Sequence, residues 1–291
     1  MEVNRGYKDS VFTLLFNNEE RLLELYNAIE GTSYTDAADI KINTLQDIIF
    51  LDKVNDVSFE FRKKQIVLIE HQSTINPNMA LRLLMYIGRL YEKIMDSKLL
   101  YSRKKTNIPR PEFIVLYNGR EELPDESVLK LSELFEKVEG NDKIELELEV
   151  KVYNINKGRN PAIEGRCESL NGYAELVAKA RENEKAGMDK AEAVKEAVKH
   201  CIREGTLGGF LREHGSEVEN MLLTEWNWDD ALQVCREESW EDGWEKGIVK
   251  GMEKGLLTGK LEIAQKMKSL NMPLEQITKY TGLNPDEIEP R

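Results

Sequence analysis

Cysteine is scarce in this chain. Three residues, Cys167, Cys201 and Cys235, are spread over 291 positions. Their odd number and the absence of a close pair argue against a disulfide framework and against a CxxC zinc site. Equal gaps of 34 residues (167 to 201 to 235) suggest a repeat. The flanking residues do not match beyond a generic helical pattern, so the cysteines read as core packing in a reducing compartment, the cytoplasm. Long apolar runs are also missing. No stretch reaches the roughly 18 consecutive apolar residues that mark a membrane-spanning helix. The opening Met1-Glu2-Val3-Asn4-Arg5 lacks the apolar run of a secretion signal. Positive charge is in short supply too: the net charge of −12 speaks against holding nucleic acid by global attraction.

What is present is unevenly placed. Between Lys41 and Arg120, 14 Lys and Arg face 8 Asp and Glu, a local balance of +6 that leaves −18 for the rest. Such a stretch can hold a phosphate backbone while the acidic remainder suppresses loose binding. It is equally compatible with an uneven surface charge. A hydrophobic share of 41% is ordinary for a globular protein, and the length gives room for one sizeable core plus an appended module.

Along the chain, Leu14, Leu15, Leu22, Leu25 and Ile29 recur at helical spacing from Asp9 onward, with Gly31 as the stop. Ile48-Ile49-Phe50-Leu51 is a short strand candidate. Val54–Phe61 alternates, with Val57, Phe59 and Phe61 on one face and Asp56, Ser58 and Glu60 on the other. Arg62-Lys63-Lys64 reads as a turn, and Gln65–Ile69 as a buried central strand. Asn76 and Pro77 then suit the start of a helix, with Leu83, Leu84, Ile87, Leu90 and Ile94 facing the core. A basic loop from Arg103 to Pro111 precedes another buried strand, Phe113–Tyr117. Ser127–Lys137 reads as a short helix and Leu146–Ile155 as a closing strand. The order is helix, three strands, helix, strand, an α/β core over residues 1–157. An all-helical region follows over 158–240, then a tail over 241–291 that ends in a small helical unit.

The chemistry gathers on the hairpin. Side chains two apart on a strand share a face, so Glu70 and Gln72 project together. A turn over Arg62–Lys64 pairs Phe61 with Gln65 and sets Asp56 opposite Glu70, whereas a one-residue slip would send Glu70 to the other face. Two adjacent carboxylates at the end of a buried strand repel unless a cation compensates. Mg²⁺, which takes one or two carboxylates plus water and phosphate, suits the position. The alternative is two acids at the wet end of a hairpin. Arg82, Tyr86, Arg89 and Lys93 share one face of the following helix at i, i+4, i+7 and i+11. That face can grip phosphates or be simply solvated. His71 alternates away from Glu70, so its side chain reads as structural, while its backbone carbonyl can reach a metal.

Three segments carry a resemblance: Asn55-Asp56-Val57-Ser58-Phe59, Ile69-Glu70-His71-Gln72-Ser73-Thr74 and Leu81-Arg82-Leu83-Leu84-Met85-Tyr86-Ile87-Gly88-Arg89. Together with Lys8–Phe12, the Tyr117-Asn118-Gly119 turn and the Gly-rich tail, they resemble the Rpn family of recombination-promoting nucleases, also called putative transposases, in the PD-(D/E)XK superfamily. The resemblance implies a restriction-endonuclease-like αβββαβ core and Mg²⁺-dependent endonucleolytic cleavage of DNA linked to recombination or transposition. It implies that Asp56 and Glu70 bind the metal, with a further carboxylate from the first helix, Asp9 or Glu20. Arg82, Tyr86 and Arg89 would hold phosphate. Gln72 stands where the superfamily pattern has lysine, and glutamine donates a hydrogen bond but carries no charge. A weakly active or inactive nuclease fold that binds DNA or protein is therefore the alternative.

In the tail, Gly243, Gly247, Gly251, Gly255 and Gly259 repeat every fourth residue. Each interior glycine costs a helix about 1 kcal/mol relative to alanine, a cost that close approach of a second helix can offset. Self-association through the tail is thus expected, against the alternative of a partly frayed helix. Leu274–Ile288 reads as two short helices around a Thr281-Gly282 turn. Its acidic Glu275, Asp286, Glu287 and Glu289 favour a helical cap over a DNA reader.

Overall fold

The computed structural model describes residues 10–43, 56–140, 143–270 and 272–288, with the backbone alone at 97, 228–251, 253–254, 256–257 and 285. The chain divides into two compact units, Met1–Asp229 and Asp230–Arg291.

The first unit is an α/β fold around a six-stranded mixed sheet. Two helices open it, α1 (Val11–Phe16) and α2 (Glu19–Glu30), where the leucine spacing predicts one. The break falls at Asn17-Asn18. Asn18 adopts an extended backbone and its side chain accepts the Arg21 N–H at 3.0 Å, so the side chain competes with the helix and starts a new one. Gly31 closes α2 at φ 68°, the left-handed stop that only glycine takes without strain.

Strand β1 (Ile40–Ile42) pairs antiparallel with β2 (Val57–Phe61). The candidate strand Ile48–Leu51 lies outside the described residues, as does Asp9. β2 pairs antiparallel with β3 (Gln65–Gln72) in the expected register, Phe61 opposite Gln65 and Val57 opposite Ile69. The turn holds because Arg62 and Lys63 both take positive φ. Arg62 is pinned there by Asp39, with Nε to Oδ2 at 2.8 Å.

Helix α3 (Met79–Ile94) starts two residues later than Pro77 suggests. Asn76 caps a turn ahead of it: its side chain accepts the Asn78 N–H at 2.9 Å and its carbonyl the Met79 N–H at 3.1 Å. β4 (Arg110–Tyr117) returns parallel to β3, and β6 (Glu149–Asn154) runs parallel to β4. The short helix expected at Ser127–Lys137 is instead an edge strand, β5 (Glu126–Lys130), followed by a 3₁₀ turn over Leu131–Leu134. Antiparallel pairing of Leu129 with Val150 satisfies backbone groups that an isolated short helix would leave to water. The sheet order is β1-β2-β3-β4-β6-β5.

Alternate residues of the sheet feed two cores. Ile66, Leu68, Phe113, Val115, Val150 and Val152 pack under α3 with Leu83, Ile87 and Leu90. Ile94, expected in that core, is exposed. On the other face, Val57, Phe59, Val67, Ile69, Ile114 and Leu116 pack with α1, α2, α5 (Glu168–Lys185), α6 (Lys190–Glu204) and the start of α7 (Gly208–Ser269). A short α4 (Pro161–Glu164) precedes α5. Cys167 and Cys201 are buried here as free thiols, and burial pushes both pKa values up, Cys201 to about 11. The side chain of Cys235 lies outside the described residues.

In the second unit α7 continues through the glycine repeat, and a Cβ at Gly255 or Gly259 would meet nothing within 4 Å. α8 (Leu274–Thr281) and α9 (Pro285–Ile288) follow, with Gly282 at φ 69° between them. Ala264, Ile277 and Leu283 form their small core with Leu261, Met267 and Met272. No helix among the described residues is long and apolar enough to cross a membrane.

Candidate functional site

Parallel strands β3, β4 and β6 end level with one another, Gln72 beside Tyr117 and Tyr117 beside Asn154. The carboxyl ends of such strands are where open α/β sheets place their ligands. Four side chains meet there on the α3 face. Glu70 is 3% exposed, and its Oε2 accepts from Arg82 Nη2 at 3.2 Å. The same nitrogen lies 3.1 Å from the Tyr86 hydroxyl. Gln72, on the same face as Glu70, donates Nε2–H to Met79 Sδ at 2.8 Å and accepts the Asn76 N–H at 3.2 Å. It thereby holds the β3–α3 connection and the first turn of α3 against the strand end.

Asp56, the residue before β2, is continuous with the register that puts Val57 opposite Ile69, so it falls opposite Glu70. Its Oδ2 accepts the His71 N–H at 2.7 Å. A residue's N–H and C=O leave a strand on the same edge, so the His71 carbonyl also faces the Asp56 side. Burial alone would lower the Arg82 pKa, but Glu70, Tyr86 and Asp56 outweigh it and hold the guanidinium raised. Desolvation and the Glu70 and Asp56 charges push Tyr86 up against the opposing pull of Arg82. Asp56, Glu70, Arg82 and Tyr86 therefore form one electrostatic cluster.

The expected phosphate stripe divides. Arg82 and Tyr86 turn inward to Glu70, while Arg89 and Lys93 are exposed farther along α3. Glu20 sits exposed in the first turn of α2, a helix packed on the opposite face of the sheet from Glu70. The structure does not bring it to the cluster. Among the described residues no group of three His, Cys, Asp or Glu side chains is placed to hold a metal ion.

His71 points to the other face. Its ring stacks on Phe12 at 4.9 Å, meets Tyr173 edge-on at 5.3 Å and hydrogen-bonds through Nε2 to the Tyr173 hydroxyl at 3.1 Å. Burial, with the charge of Arg181 adding to it, pushes the imidazole down to about 3, so it is neutral at ordinary pH. Arg181 also braces the Asn118-Gly119 turn from α5, with Nη2 2.7 Å from the Asn118 carbonyl and Nη1 2.9 Å from Asn156 Oδ1. A Cβ at Gly119 would collide with the Ser73 carbonyl and the Tyr117 ring, so the turn admits only glycine. The link from Arg82 to Glu70 and the bracing by Arg181 join residues 12 and 63 positions apart. Periodicity carries no signal for either.

A family model described as "Putative transposase, YhgA-like" matches residues 22–188, more than half of the 291-residue chain. No curated protein and no solved structure matched the chain.

Proposed function

Because the chain belongs to the family of YhgA-like putative transposases, we propose that it is a metal-dependent DNA endonuclease built on a PD-(D/E)XK-type core, hydrolysing phosphodiester bonds in support of recombination or transposition. The observation that carries this reading is the meeting of Asp56, Glu70 and Arg82 at the carboxyl end of β3.

The donor set fits Mg²⁺. Two carboxylates and the His71 carbonyl are hard oxygen donors, and an ion of this kind leaves its remaining positions to water and phosphate. Asp56, Glu70 and His71 O would hold it. When bound, the ion would activate water and offset charge on the phosphodiester oxygens. Arg82 has a second task. It supplies beside Glu70 the positive charge that Gln72 lacks, and on substrate binding its guanidinium passes from the carboxylate to a phosphate oxygen, a bidentate match lysine cannot make. Tyr86 steadies that guanidinium. The Gln72 amide has two N–H donors, and the Met79 contact uses one. The other is available to orient the attacking water. Arg89 meets the backbone farther along the same helix.

A plasmid-nicking assay in Mg²⁺ and in EDTA, beside Asp56→Ala, tests the reading. Nicking that needs Mg²⁺ and is lost in the variant is expected; equal nicking in all arms would sink it. A second reading draws on Gln72, whose amide is already engaged by Met79 and Asn76: a nuclease fold that grips DNA or protein without cutting. Binding with no cleavage across a series of divalent metals would select it. Self-association through the glycine-bearing stretch of α7 belongs to the same proposal. Light scattering that reports a monomer at every concentration would remove it.

A further inference from the structure

The connection between α3 and β4 presents exposed apolar and basic side chains that the proposed reaction leaves unused. Asp96 caps a 3₁₀ turn over Ser97–Tyr101, accepting the Lys98 N–H at 2.9 Å. In that turn residues i and i+3 eclipse, so Lys98 and Tyr101 lie one above the other. Tyr101 is 89% exposed and Leu100 70%. Large side chains stay this open in a monomer only singly or where something covers them. Arg103, Lys104 and Lys105 follow after Ser102 and are all exposed. Among the described residues no ion pair engages Lys98, Arg103, Lys104 or Lys105, although the chain as a whole carries −12.

The segment is also continuous with the cluster. From Arg82 beside Glu70, the α3 face passes through Arg89 and Lys93 before the chain enters the loop. Eleven residues of helix span about 16 Å. At 3.4 Å per nucleotide of a duplex strand, that is about five nucleotides from Arg82 to Lys93, and the loop begins beyond it. A DNA strand cut at Glu70 and lying along α3 would thus arrive at an aromatic ring beside a run of cations.

We propose that this loop is a single-strand anchor: Lys98, Lys104 and Lys105 hold phosphates while Tyr101 stacks on an unpaired base past the Lys93 end of α3. Stacking needs an exposed base face, which a closed duplex does not offer, whereas phosphate contacts are indifferent to pairing. The proposed endonuclease is therefore directed to DNA with single-stranded character, and the inference rests on that functional reading.

Fluorescence anisotropy of the full chain in EDTA separates binding from cutting. The probes are a labelled oligothymidylate of roughly 15–20 nucleotides, its duplex with oligoadenylate, and vesicles containing phosphatidylserine. Tyr101→Ala is expected to weaken single-strand binding about fivefold or more, to leave duplex binding within about twofold, and to be rescued by Tyr101→Phe. Lys104→Ala with Lys105→Ala should weaken both probes and lower the single-strand salt slope by roughly 0.7 per lysine. The side chains are exposed, so none of these variants removes core packing. Wild-type single-strand binding that survives all three loop substitutions overturns the anchor and leaves the nuclease reading standing. Vesicle binding lost in Tyr101→Ala, with DNA binding intact, assigns the loop to a lipid surface and overturns it as well. Absence of single-strand binding overturns the anchor and leaves the nuclease reading to the Mg²⁺ nicking assay.

Discussion

Glu70 and His71 are neighbours on one strand, yet they belong to two different environments. Glu70 turns to the α3 face and enters a cluster of opposed charges, Arg82 and Asp56, with Tyr86 beside them. His71 turns to the α1 and α5 face and sits neutral between Phe12 and Tyr173. Its backbone nevertheless serves the first face, because its N–H holds Asp56. Charged and neutral groups are thus divided by strand parity. Ionic groups collect beneath α3, and the imidazole that burial keeps neutral is packed against aromatic rings.

Substitutions at four positions can break or sharpen that division. The largest effect is expected on the ionic face. Glu70→Ala should lower nicking by more than about 100-fold, beyond the range typical of a residue that only supports a metal ligand. Its urea midpoint should stay close to the wild type, since the charge it leaves, Arg82, is partly exposed; a collapsed midpoint with nicking per folded molecule retained would reverse the assignment. On the aromatic face, His71→Ala should cost about 2–3 kcal/mol of stability and leave nicking by the folded fraction within a few-fold.

The neutral ring also predicts a pH dependence. His71 titrates near 3 when folded and at its ordinary value of 6.5 when unfolded. Between those values the unfolded chain binds a proton that the folded chain refuses, so stability falls as pH drops below 6.5. The slope reaches about 1.4 kcal/mol per pH unit. Urea titrations at several pH values should show this slope in the wild type and lose it in His71→Gln.

Arg82→Gln should reduce nicking about tenfold or more, the scale of one lost hydrogen bond to a charged group, and single-turnover rates should carry the loss. If Arg82 holds phosphate only before the chemical step, the loss will appear in KM instead. The smallest effect belongs to Arg89→Ala: DNA affinity about two- to threefold weaker at low salt and indistinguishable from the wild type at high salt.

The β2–β3 hairpin was legible in the sequence because two signals agree there. The alternation of Val57, Phe59 and Phe61 sets the faces, and a polar run too short for anything but a turn sets the offset; the pairing of Phe61 with Gln65 follows. Where only one signal exists, periodicity misleads. Leu14 to Ile29 keeps helical spacing across a break that depends on one asparagine side chain reaching a backbone N–H. Ser127–Lys130 has no distinguishing pattern until β6 offers it an edge. For the cluster, strand parity placed Asp56, Glu70 and Gln72 on one face. It could not show that Arg82 closes on Glu70, or that Gln72 ties down Met79 and Asn76. Those contacts cross a strand–helix connection whose geometry is set by the packing of α3, not by local spacing.

The pairing of Arg82 with Glu70 has a consequence for the order in which ligands can act. At rest, each group is the other's counterion. In the proposed reaction a divalent ion that claims Glu70 strands a guanidinium, and a phosphate that claims Arg82 strands a buried carboxylate. Neither ligand alone leaves the site neutral, whereas both together do. Metal and DNA should therefore each raise the affinity for the other by the same factor, as linkage requires. In the proposed reaction the cluster thus acts as a coincidence detector: metal alone or an anion alone leaves a charge uncompensated, and only a phosphodiester accompanied by its ion balances it.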